Sequence, residues 1–89
     1  MFSTAAVLPL IARLGDFLRS AGEQAKRAVA SGAVVAPAAI ASVLEREMVG
    51  WNPTIAGREV LDAETRRAAA RFLAGVAVNV VVGKKEKAA

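Results

Sequence analysis

An all-α fold of three helices is expected for this chain, and three observations carry that expectation. Alanine supplies 21 of the 89 residues, and alanine leads helix-propensity scales because it loses no side-chain entropy in a helix. Apolar residues recur at three- and four-residue steps through long stretches, the period of one helix face. Gly32 with Pro37, and Gly50 with Pro53, punctuate those stretches.

The first helix is expected over residues 9–31. Pro9 suits the first helical position, where its missing N–H costs nothing, and Gly32 supplies the stop. Its apolar face is Val7, Leu10, Ile11, Leu14, Phe17, Leu18, Ala21, Ala25, Ala28 and Val29. Arg13, Asp16, Arg19, Glu23, Lys26 and Arg27 lie opposite, with Arg13/Asp16, Asp16/Arg19 and Glu23/Arg27 spaced for weak ion pairs. Gly15 and Gly22 stand seven apart at the margin of the apolar face. They are either tolerated glycines or places where another helix backbone comes close; with Leu14, Phe17 and Leu18 they form the candidate helix-packing set.

Residues 32–36 read as a connector, and Pro37 opens a second helix over residues 37–49 that Gly50 ends. Its stripe is Ile40, Val43, Leu44 and Met48. Glu45, Arg46 and Glu47 read as a solvated cluster, because acids two residues apart point to different sides of a helix. Residues 50–61 form the one irregular stretch, with the only Trp, an Asn52-Pro53 turn signal and Gly57. Trp51 and Ile55 either cap the core or anchor a partner surface, where Trp is enriched.

The third helix is expected to begin after Asp62, whose carboxylate can cap free backbone N–H groups, and to stop at Gly83. Ala69, Phe72, Leu73, Val76 and Val80 form its stripe. Farther on, Val76, Val78, Val80, Val81 and Val82 occupy nearly every direction around the axis, so this end is apolar all round and needs enclosure. The same segment suits a β-strand by composition. A helix is favoured because no second strand-like run is present to pair with it. The organisation expected is therefore a single helical domain over residues 1–83 and a charged tail over 84–89.

Composition narrows the function. The chain is 55% hydrophobic with mean hydropathy +0.41, and a domain of this size has little interior per residue. Two runs carry no charge, residues 28–44 and 72–83. Surplus apolar surface then needs an outlet in an oligomer, a larger assembly or a membrane. No His or Cys is present, so the usual general bases and thiolate nucleophiles are missing. No phosphate loop or metal-ligand spacing occurs either, and Glu59 and Asp62 beside Arg58 and Arg66 read as a surface salt-bridge cluster. A non-enzymatic chain without catalytic residues, metal, cofactor or small-molecule substrate is expected.

The leading expectation is a structural or assembly subunit, a homo-oligomer or part of a larger complex such as a virion. Trp51, Ile55, Phe72, Val76, Val78, Val80, Val81 and Val82 are its candidate partner contacts. An alternative is a membrane-active protein similar in outline to small phage holins, which are short, apolar and end in a charged tail; the final KKEK and the two uncharged runs carry that likeness. The uncharged runs fall short of the roughly 20 residues a span needs, and Arg66, Arg67 and Arg71 lead into the second run at high cost in a bilayer. A further alternative is nonspecific nucleic-acid or anion binding by Arg66, Arg67, Arg71, Lys84, Lys85 and Lys87, since the net charge is +4. No basic residue precedes the apolar N-terminal stretch and no clear cleavage site follows it, so a signal peptide is not expected, and a cytoplasmic or within-assembly location is favoured.

Overall fold

A computed structural model describes residues 4–88, with side chains over residues 7–83. The described residues form three helices and one small hairpin: α1 Thr4–Ala30, α2 Pro37–Met48, β1 Thr54–Ile55, β2 Arg58–Glu59 and α3 Ala63–Ala88. The all-α class is correct, and residues 76–82 are helix rather than strand.

α1 ends where Gly32 takes φ +77. The N–H of Ala33 donates to the Ala28 carbonyl at 3.0 Å and that of Gly32 to Val29 at 3.1 Å, a Schellman closure that needs the left-handed conformation a glycine adopts without strain. The start of α1 corrects the sequence reading. The helix begins by Thr4 and Pro9 lies inside it, where the proline forfeits the hydrogen bond its N–H would give to Ala5 and its ring crowds that carbonyl. The other end of the chain carries a second correction: Gly83 does not stop α3, which runs on to Ala88. Gly83 keeps a negative φ, and the lysines, glutamate and alanine beyond it are good helix formers. The tail is thus helical in its backbone through Ala88.

Ser20 on α1 meets Glu47 on α2, while the short link over residues 31–36 joins the opposite ends, so α1 and α2 are antiparallel. Glu45 meets Arg67, and Pro37 and Ala38 lie beside Arg71, so α2 and α3 are antiparallel too. α1 and α3 therefore run in the same direction. α3 touches both other helices extensively, whereas α1 and α2 meet less. The result is an elongated body of 48 × 23 × 14 Å, in which α1 and α3, each about 40 Å long at 1.5 Å per residue, run along the long dimension.

The core is Phe17, Ala21 and Ala25 from α1, Ile40, Ala41, Leu44 and Met48 from α2, and Ala70, Leu73, Ala74, Ala77 and Val78 from α3. No polar or charged residue is buried among the described residues. Half of the twelve buried residues are alanine, which brings the helix axes close and makes the contact one of many small dispersion terms. This arrangement shifts the α3 stripe from the one expected. Leu73 is buried as read, but Ala70, Ala74, Ala77 and Val78 join it, while Phe72 and Val80 face outward. A tight seam selects methyl groups, so the bulkiest side chains of α3 stand outside it.

The loop over residues 50–61, expected to be irregular, contains a two-residue hairpin. Thr54 pairs with Glu59 and Ile55 with Arg58, and both turn residues have positive φ, Ala56 at 54° and Gly57 at 79°, the signature of a type I′ turn. Gly57 accepts this freely, whereas the Ala56 Cβ meets the following carbonyl, a strain of about 1–2 kcal/mol. Replacing Ala56 by Asn, which tolerates that region, is expected to raise stability by up to about 1 kcal/mol, read as a higher urea midpoint at unchanged slope. An unchanged or lower midpoint would show that this turn is not held in the left-handed conformation.

Candidate functional site

Two faces of the molecule are candidates, one apolar with a charged edge and one basic. The apolar face begins on α1. Leu8, Ile11, Gly15, Leu18 and Gly22 recur at alternating three- and four-residue steps, about a quarter turn away from the buried row of Phe17, Ala21 and Ala25. None is buried, and Ile11 is 56% and Leu18 37% exposed. On α3, Ala69, Phe72, Val76 and Val80 extend the same surface, with Phe72 70% and Val80 50% exposed. Between the helices lies a groove of about 400 Å³, floored by Leu18, Gly22, Val76, Ala77, Val80 and Val81 and edged on the α1 side by Arg19, Glu23 and Lys26.

Gly22 sits within this groove and Gly15 farther along the same row. A Cβ on either would meet nothing within 4 Å, so neither marks a close helix approach inside the chain. The other helix-packing candidates divide: Phe17 is buried, Leu14 packs against the core, and Leu18 faces the groove.

The candidate partner contacts are not one surface. Trp51 is half-buried, its ring 5.2 Å from that of Phe17 and tilted at 51°, while Arg13 stacks on Phe17 at 4.6 Å. Ile55 is half-buried in the hairpin. Val78 is buried in the chain's own core, and Val81 and Val82 pack partly against that core. Phe72, Val76 and Val80 are the members that the groove side presents to solvent.

The basic candidates are largely occupied within the chain. Arg66 donates from Nη2 to the Trp51 carbonyl at 2.8 Å and to Asn52 Oδ1 at 3.0 Å, and its Nε is buried without a partner. Arg67 pairs with Glu45 at 3.3 Å. Arg71 is exposed beside Pro37 and Ala41. The side chains of Lys84, Lys85 and Lys87 lie outside the described ones. The salt-bridge cluster read around Arg58, Glu59, Asp62 and Arg66 is not formed, because Arg66 turns to the Trp51 loop and Asp62 to the helix end. Arg46 and Glu47 are exposed and Glu45 is half-exposed, as read for a solvated cluster, and Glu47 accepts from Ser20 at 2.9 Å. Glu23 pairs with Lys26 at 3.8 Å instead of Arg27, whereas the Asp16 pairs with Arg13 and Arg19 form as expected. Exposed pairs of this kind contribute little to stability.

Arg66 as a loop clamp was not legible in advance, since its partners are a backbone carbonyl 15 residues away and a side-chain amide 14 residues away. Arg66→Ala is expected to cost about 1.5–3 kcal/mol, the range for hydrogen bonds to a charged group, and to change Trp51 fluorescence. A loss under 0.5 kcal/mol with an unaltered spectrum would remove that clamp.

Asp62 is the α3 cap. Its Oδ1 accepts from the Thr65 N–H at 2.7 Å, and chiefly this bond holds the carboxyl below the ordinary 3.8. A lowered folded value means that the cap's contribution is present above the unfolded pKa and lost as pH falls through the folded one. Asp62→Asn, which caps without titrating, is therefore expected to flatten the fall in melting temperature below about pH 4. Identical acid profiles for both proteins would contradict the assignment.

Among the described residues no cluster of His, Cys, Asp or Glu is placed to hold a metal, and no helix is long and apolar enough to cross a membrane. No protein-family model, curated protein or solved structure matches the chain.

Proposed function

We propose that this protein is a non-enzymatic assembly subunit that buries an apolar face of α1 and α3 against copies of itself or a larger partner, in a virion or another macromolecular complex. The single observation that carries this reading is the row of exposed Leu8, Ile11, Gly15 and Leu18 and half-buried Gly22 bordering the groove beside Val76 and Val80. Contiguous exposed apolar surface of this kind marks association sites. The lack of His and Cys in the chain and the absence of buried polar side chains among the described residues agree with a packing role. Binding of an anion or nucleic acid has weaker support, since Arg66 and Arg67 already have partners. Light scattering coupled to size-exclusion chromatography of the protein isolated from its source tests the proposal: a mass of two or more chains' worth of protein is expected, and a clean single-chain mass overturns it.

A further inference from the structure

We infer that the partner of the apolar face is a second copy of this chain, docked with its α1 antiparallel so that Ile11 of each copy lies over Gly22 of the other and Leu18 over Gly15. The inference rests on the assembly reading and names its partner. Leu8, Ile11, Gly15, Leu18 and Gly22 have the alternating three- and four-residue spacing of a coiled-coil seam. Reversing Ile11, Gly15, Leu18 and Gly22 about the point between residues 16 and 17 superimposes the four on themselves, so that Ile11 and Leu18 each face a glycine, while Leu8 falls opposite Ala25. Each glycine has free space where a Cβ would stand, so the knobs of one copy enter holes of the other. A parallel pairing instead sets Ile11 on Ile11 and glycine on glycine, leaving bulk against bulk beside empty gaps.

Charge supports the same arrangement. Asp16 lies next to the two-fold axis, bonded in its own chain to Arg13 at 3.7 Å and Arg19 at 3.5 Å. Antiparallel docking sets Arg19 of the second copy about 3 Å along the axis from this carboxylate, within reach of its long side chain, twice by symmetry. The overhangs are complementary too. Leu8 and Ile11 stand at the projecting N-terminal end of α1, more than half exposed, and the docked copy lays these turns over the groove at Gly22, Val76 and Val80.

The chain contains no cysteine, which makes cross-linking unambiguous. Ile11→Cys and Gly22→Cys are prepared separately, mixed and gently oxidised. A disulfide-linked dimer is expected in the mixture and not with either variant alone, since like positions lie about 16 Å apart along the axis in this register. Ile11→Glu, at a site already exposed, is expected to halve the native mass with helical circular dichroism unchanged. A multi-chain native protein whose mixed variants fail to cross-link, or whose Ile11→Glu variant keeps its mass, overturns this interface and leaves the assembly reading standing. A single-chain native mass overturns both.

Discussion

Leu44→Ala is expected to remove about 2–5 kcal/mol of folding stability, the range for truncating a fully enclosed leucine. Leu44 is 0% exposed and is one of the two largest fully buried side chains, with Met48. Domains carry roughly 0.05–0.15 kcal/mol of stability per residue, so this one substitution consumes a large part of the total. Urea denaturation followed at 222 nm checks it: the midpoint falls sharply while the slope stays near that of the parent. A loss below about 1 kcal/mol would mean that α2 does not pack on the other helices through this face.

The second large effect runs in the opposite direction of size. Ala74→Leu is expected to destabilise by about 1–3 kcal/mol, because Ala74 is 0% exposed in the central helix and the added carbons must push neighbouring backbone aside. Phe72→Ala, two positions earlier and 70% exposed, is expected to change monomer stability by less than about 0.5 kcal/mol. Thermal melts of the two variants at a concentration where the chains are separate test the pair. If Phe72→Ala proves the more damaging, the rotation of α3 about its axis is different from the one described.

That reversal shows where residue pattern was informative. Gly32, Pro37 and Asp62 act on backbone within a few residues of themselves, so the end of α1 and the starts of α2 and α3 were legible. The face of α2 was legible for the same local reason, since Ile40, Leu44 and Met48 are its only large apolar side chains at one spacing besides Val43. The rotation of α3 was not, because periodicity weighs bulk, and here methyl groups occupy the seam. Gly83 misled because a glycine ends a helix only when its φ turns positive. The hairpin was hidden by Ala56, an unusual occupant of a left-handed turn position. Of the candidate site, Leu18, Gly15 and Gly22 were legible as a row, and Phe72, Val76 and Val80 as surplus apolar residues. Trp51 and Ile55 were not separable into core or surface until Phe17, 34 residues earlier, took its place beneath the indole.

The Phe17–Trp51 contact, with Arg13 over the Phe17 ring and Leu14 packed beside it, grips α1 by bulky groups; farther along, Ala21 and Ala25 offer only methyls. Amide hydrogens should consequently exchange with solvent at graded rates along this helix, slowest around Phe17 and faster toward Ala30 and toward Thr4, as local openings start where the fewest atoms must separate. A helix fastened near its middle and loose at both ends behaves like a pinned lever.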